Sequence, residues 1–384
     1  MLPPDTQVAI APPVVTPTAF GHAADAGSGS PPSLAARPLL SRAFVCVCGR
    51  PVFFRNSACL ACGTPLGYMP GANRLMALAP AGDELWREAS NGDHAPERPA
   101  CGAPLYRRCG NLLSAAACNW LLEPDDAGAG AGSLCRCCRL TRTLPDLTMP
   151  GSAVRWQRIE LAKRRLVSSL IARSLPVRSR VTEDPFGGLA FDLLHTLPGG
   201  PPVVTGHVDG VITLDVQEAD DAHREQRRTE MGESYRTLLG HLRHETGHYY
   251  WQRMVAGGDW LAAFRETFGD ERQDYGAALA LHYGQGAPAD WGQRFVSAYA
   301  SSHPWEDWAE TWAHYLHLVD TLDTARSFAV DGERVELTYE RFAPQVLAPE
   351  AADEAQATEF LQLINSWMEL TGVLNELSRS MGVA

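Results

Sequence analysis

All ten cysteines of this 384-residue chain fall between residues 46 and 138, and most of them come in short pairs. Cys46-Val-Cys48 is followed, ten residues on, by Cys59-Leu-Ala-Cys62. Two such pairs on tight turns bring four thiolates to the corners of a tetrahedron, the geometry zinc takes in closed structural sites. Gly49 and Gly63 follow the pairs, where a turn beneath a metal needs backbone freedom. A second, looser set comprises Cys109, Cys118 and the Cys135-x-x-Cys138 knuckle. Four thiolates leave no position for water or substrate, so both modules are folding devices rather than catalysts. Cys101 and Cys137 are left over and are read as small apolar side chains, Cys137 pointing away from the metal. Clustered cysteines without an export signal imply a reducing compartment, so a cytoplasmic protein is expected.

The rest of the chain divides by texture. Residues 1–42 are rich in proline, alanine and other small residues, and the first forty are poor in charge. Such a segment cannot bury enough apolar surface to offset its ordering entropy, so a disordered arm is expected. Its opening, MLPPDTQVAIAPPVVTPTAF, lacks the basic start of a secretory signal. No window approaches 18 consecutive apolar residues, which excludes a helical membrane span. Residues 43–145 form the expected zinc-ribbon region. From about 150 to 380 the pattern becomes that of a mainly helical domain with a small sheet, giving an α+β fold overall. Trp156, Ile159, Leu166 and Leu170 keep helical spacing. LAFDLLH and VVTGHVDGVITLDV read as strands, with Asp209-Gly210 as a hairpin turn. One long helix is expected over 218–254, and further helices over 259–267, 274–283, 304–320 and 355–377. In the last of these, Phe360, Ile364, Trp367 and Leu374 share a face.

The residues richest in chemistry are His244-Glu245-Thr246-Gly247-His248. A helix places residues four apart on one face, so His244 and His248 can reach one ion. Glu245 projects beside it toward a bound water, as a general base would. Two imidazoles and one carboxylate leave an open fourth position on catalytic zinc. Gly247 costs about 1 kcal/mol relative to alanine inside a helix, so it marks the close approach of another element. His241, one turn earlier, is a supporting or surface histidine.

The third ligand does not follow on the same turn, because Trp251 and Met254 stand where a further Gly and His would be needed. The best source is His303-Pro-Trp-Glu306-Asp-Trp-Ala-Glu310-Thr-Trp-Ala-His314-Tyr-Leu-His317. Pro304 suits a first helical position and the acids suit a first turn. Glu306, Glu310, His314 and His317 form one polar stripe. Glu306 is taken as the third ligand with Glu310 orienting an imidazole; the reverse assignment stays open, and His314 is a further supporting or alternative group. Tyr299, seven residues upstream of Glu306, is a candidate donor to the oxyanion of a tetrahedral intermediate. VITLDV is a candidate edge for an extended peptide.

CNW (118–120), LCRCCRLTRTLPDL (134–147), AKRRL (162–166), TGHVDGVITLDVQEADDAHRE (205–225), YRTLLGHLRHETGHYYW (235–251), FGDER (268–272) and SAYASSHPWEDWAETWAHYLH (297–317) together resemble a bacterial family of zinc-binding metallopeptidases with an N-terminal zinc-ribbon region. The resemblance spans roughly 43–325. With the HETGH motif it implies a zincin-like catalytic domain over about 150–380 and a gluzincin-like zinc site to which His244, Glu245 and His248 carry over, without fixing a substrate. Cys101 and Cys137 are extra to the ribbon pattern. The expected cofactors are one catalytic zinc and one or two structural zincs, and the expected partner is a peptide or protein substrate.

The chain has a net charge of −12, which argues against a nucleic-acid footprint over its whole surface. Residues 136–180 differ, with eleven Lys/Arg against two Asp/Glu. They are read as cations pairing with the acidic catalytic domain. The rival reading is an inactive zinc-ribbon scaffold whose ribbons and basic segment dock a protein or nucleic acid. The glutamate base favours a peptide hydrolase, since a scaffold has no use for it.

Overall fold

A computed structural model describes residues 39–90, 104–123, 130, 132–197, 199–231, 237–330, 340–343 and 354–382. Most of the Pro/Ala-rich arm and Cys101 lie outside the described residues. The arm's last residues are not loose, however. Leu40 is buried, and its N–H donates to Asp323 Oδ2 at 3.4 Å. Arg42 Nη2 donates to Ser168 Oγ at 2.9 Å. Packed structure therefore begins before residue 43, because the Leu40 backbone and the Arg42 side chain bond to acceptors at Asp323 and Ser168.

In the cysteine region, β1 (Phe44–Val45) and β2 (Pro51–Val52) form a short antiparallel pair under the first knuckles. β3 (Leu66–Met69), β4 (Arg74–Pro80) and β5 (Trp86–Glu88) form an antiparallel three-stranded sheet. Tyr68 of β3 bridges Trp120 beside Cys118, so the two cysteine modules share one scaffold.

The second sheet, in order β6-β7-β9-β8, comprises β6 (Thr141–Thr143), β7 (Ala190–Leu194), β8 (Gly206–Val208) and β9 (Val211–Asp215). β6, β7 and β9 run parallel, and β8 returns antiparallel through a turn at Asp209 and Gly210. Both turn residues have positive φ, 48° and 78°, as a two-residue hairpin requires. β9 is thus interior, flanked on both sides. The expectation that VITLDV offers an edge is corrected: pairing by both β7 and β8 consumes its ladder, and the edge is β8.

β6 begins three residues after Cys138, so the four-stranded sheet starts inside the cysteine region. α1 (Ser152–Ala172) follows and buries Trp156, Ile159, Leu166 and Leu170. The single helix expected over 218–254 is instead α2 (Asp221–Met231) and α3 (Leu238–Met254). Thr237 restarts the helix by accepting from the Gly240 N–H at 2.9 Å, a side-chain N-cap. α4 (Leu261–Phe268), α5 (Tyr275–Gln285), α6 (Pro304–Ser327) and α7 (Glu354–Ser380) complete the domain. On α7 Leu361 and Leu370 are buried and Ile364, Trp367 and Leu374 are half-buried, with Trp367 against His317 of α6; of the face expected, only Phe360 is exposed. No described helix is long and apolar enough to cross a membrane.

α3 packs along α6, and α1 packs on α3. Gly247 makes the α3–α6 crossing possible. A Cβ there would lie 2.9 Å from Ala309 Cα, and Trp308 Nε1 donates to the Gly247 carbonyl at 2.9 Å. One apolar core runs from Phe44, Tyr68 and Trp120 through Leu166 and Phe191 to Tyr250 and Leu316.

Candidate metal centre

α3 carries His244 and His248 one turn apart, and α6 brings Glu306 to meet them across the Gly247 crossing. His244 Nε2 and His248 Nε2 are 3.2 Å apart. Glu306 Oε2 lies 3.0 Å from the first and 3.5 Å from the second. Donors about 2.0–2.2 Å from a tetrahedral zinc sit roughly 3.2–3.6 Å from one another, so two of the three separations fall in the range of one shared ion and the third is slightly shorter. Glu306 is 1% exposed, and its Oε2 has no hydrogen-bond partner among the described residues. A buried carboxylate oxygen aimed between two ring nitrogens is what a cation would satisfy.

The surrounding groups fix this geometry. Glu310 Oε1 accepts from His244 Nδ1–H at 2.7 Å, which assigns the tautomer from the hydrogen-bond network and leaves the Nε2 lone pair for the ion. Ser297 Oγ donates to Glu310 Oε2 at 2.7 Å. Tyr275 Oη donates to Glu306 Oε1 at 2.7 Å. Burial disfavours an imidazolium at His244, yet the facing carboxylates of Glu306 and Glu310 hold it well above the usual range. In the metal-free chain the centre therefore draws a positive charge to the place where an ion would sit.

Glu245 is buried beside this group. Its Oε1 is 3.3 Å from His241 Nε2, and its Oε2 has no hydrogen-bond partner among the described residues. Burial alone would raise its carboxyl; the His241 contact and the charges of His244, His241 and His248 outweigh that and hold it at about 2. His241 itself lies between Glu245 and Glu218, whose Oε2 is 3.7 Å from Nδ1. Burial opposes its protonation, but the two carboxylates raise it above the ordinary imidazole range.

Tyr299 stands against His244 with ring centroids 6.0 Å apart. Burial, then Glu306, pushes its phenol well above the usual range, so it remains an O–H donor. His314 lies elsewhere: its ring is exposed and its Nδ1 is 3.0 Å from the backbone carbonyl of Glu310, outside the three-donor group. After Glu310 the 4-4-3 stripe leaves the centre: His314 is exposed, and further along α6 Asp320 contacts Arg243 of α3 at 2.8 Å.

Tyr275, Ser297 and Glu218 were not singled out by sequence. Each reaches its carboxylate or imidazole from another stretch of chain; Ser297 and Glu218 fall within stretches that carry the resemblance, but no spacing marks them. His207 of β8 was also missed. It accepts from the Gly210 N–H at Nε2, 2.9 Å away, and burial followed by the His248 charge pushes it down to about 3.

Both cysteine sets converge. Cys46, Cys48, Cys59 and Cys62 form one group, and Cys109, Cys118, Cys135 and Cys138 another, each with sulfurs within 4.8 Å of one another. Sulfurs about 2.3 Å from a tetrahedral zinc lie roughly 3.8 Å apart. The Cys46–Cys62, Cys48–Cys59 and Cys118–Cys135 pairs are each separated by 3.7 Å. The first site is half exposed at Cys48 and Cys62; the second is wholly buried. Cys137 is buried and stands outside the second group.

The basic segment is largely neutralised from within. Of its eleven cations, Arg136, Arg139, Arg142, Arg155, Arg158, Lys163, Arg173 and Arg180 pair with carboxylates.

A family model described as "Putative zinc-binding metallo-peptidase" matches residues 152–384, and a zinc-ribbon domain model matches residues 43–149. Uncharacterized proteins of Mycobacterium bovis and Mycobacterium tuberculosis are 43% identical to the chain over 336 residues, covering 87% of it and 86% of their own length. No solved structure matches significantly.

Proposed function

Since the chain belongs to the zinc-binding metallopeptidase family whose model spans residues 152–384, we propose that it hydrolyses peptide bonds at the centre built by His244, His248 and Glu306. The observation that carries this reading is Glu245, a buried carboxylate with one uncommitted oxygen beside three donors spaced for a tetrahedral ion. His244, His248 and Glu306 hold zinc, and the zinc, when bound, supplies a Lewis acid that brings the pKa of its water to about 7.

The remaining work falls to the protein. Glu245 takes the proton of the attacking water at Oε2 while His241 keeps Oε1 in place. Glu245 then passes the proton to the leaving amine. Tyr299 donates to the developing oxyanion. β8 borders α3 and no described strand pairs with its outer edge, which suits main-chain bonding to an extended peptide.

The two cysteine sites each hold a structural zinc, and the site of action is the cytoplasm. The internal pairing of the basic segment speaks against its being a nucleic-acid surface. The experiment is paired substitution with metal analysis and a peptide-library cleavage assay. Glu245→Gln keeps the metal and loses at least 10²-fold in cleavage rate, whereas His244→Ala loses the metal. Cleavage undiminished in Glu245→Gln would overturn the mechanism, and no cleavage by the zinc-loaded wild-type chain would favour a scaffold.

A further inference from the structure

Glu306 divides its two oxygens between two partners. Oε2 faces the ring nitrogens of His244 and His248, while Oε1 accepts from Tyr275 Oη at 2.7 Å. The carboxylate is 1% exposed, so no bulk solvent competes for either oxygen. Tyr275 opens α5, a helix with no buried residue of its own. Its ring is held by two aromatic contacts on the same side as the ligand, 5.1 Å from His303 and 5.8 Å from Trp305. Asp274 caps the helix, accepting from Ala277 N–H at 2.9 Å, which sets the direction in which the Tyr275 side chain leaves it.

We propose that Tyr275 is a positioning residue for the third ligand: its hydroxyl occupies one oxygen of Glu306 and leaves only the other for zinc. The inference rests on the metal-centre reading above. An ionised carboxylate can offer both oxygens to a cation. Filling one with a charge-assisted hydrogen bond limits the ligand to one bond and keeps the open position for water. Glu310 and Ser297 do for the imidazole of His244 what Tyr275 does for the carboxylate, so each of two ligands is set by a group from outside its own helix.

The test measures metal rather than turnover. Wild type, Tyr275→Phe and His244→Ala, all with ribbons zinc-loaded, are titrated with zinc against a chelator and then saturated with cobalt(II) for absorption spectra. Phenylalanine keeps the ring contacts with His303 and Trp305. Tyr275→Phe is expected to bind zinc about 10- to 100-fold more weakly and to show altered cobalt d–d bands at saturation, which a merely less stable fold would not produce. Equal affinity and an identical spectrum would overturn the proposal. If wild type holds no metal that His244→Ala removes, the centre itself has been misread. Should Tyr275→Phe fail to fold, infrared difference spectra of wild type on zinc uptake decide. A widely split pair of carboxylate stretches marks one bound oxygen and supports the proposal; a narrow split marks two and refutes it.

Discussion

Glu306 and Glu310 differ by one turn of helix yet meet opposite ends of the same imidazole. Glu306 faces Nε2 of His244 and Glu310 accepts from Nδ1. Substitution separates these roles. Glu306→Ala is expected to abolish zinc at this centre, while Glu310→Ala retains it with about 10- to 100-fold weaker affinity, as read by chelator competition. Retention by the first and loss by the second would reverse the assignment. His207 gives a second prediction at this scale. Its folded pKa of about 3 lies below the ordinary 6.5, so between those values the unfolded chain binds the extra proton. Stability therefore falls as pH drops below about 6.5, by on the order of 2 kcal/mol at pH 5 from this group. His317, pushed down to about 4 first by burial and then by Arg243, adds the same sign. Melting temperatures of wild type and His207→Gln at pH 7 and pH 5 check this: the loss on acidification should be smaller in the variant, and an equal loss would refute it.

At the scale of elements, the centre depends on how closely α3 and α6 cross. Gly247→Ala places a methyl 2.9 Å from Ala309 Cα, a backbone atom that cannot turn aside. The helices must part, at a cost of about 1–3 kcal/mol of overpacking, and the separation carries Glu306 away from the histidines. Both melting temperature and zinc affinity should fall; if only the melting temperature falls, the crossing does not set the centre. HETGH was legible in the sequence because His244, Glu245 and His248 lie on one turn of one helix, where periodicity speaks directly. The helix offering Glu306 was legible from its acids and its tryptophan face. Tyr275, Ser297 and His207 were not, since each acts through a single hydrogen bond or contact made by tertiary packing. The break at Thr237 was hidden because helical spacing continues across it, and the edge of the sheet was misread because strand order is not written in strand sequence.

The whole molecule is more unified than its two textures suggest. β6 leaves the second cysteine knuckle and enters the four-stranded sheet within three residues. α1 turns Lys163 and Arg164 toward the wholly buried second cysteine site, where burial disfavours their charges and neighbouring Glu160 and cysteines restore them. Arg164 Nη1 also donates to the Ala116 carbonyl at 3.0 Å. Metal binding at such a site is folding free energy, about 10 kcal/mol or more, comparable with the whole stability of a domain. Cys135→Ser should therefore abolish the cooperative calorimetric transition of the catalytic domain. Cys48→Ser, at the half-exposed site, should leave that transition within a few degrees. Equal effects would mean that the second site is as detachable as the first. The account as a whole stands or falls on metal content. Mass spectrometry of the native chain should find three zinc ions, falling to two when His244 and His248 are both replaced by alanine. Two zincs before and after that replacement would contradict it.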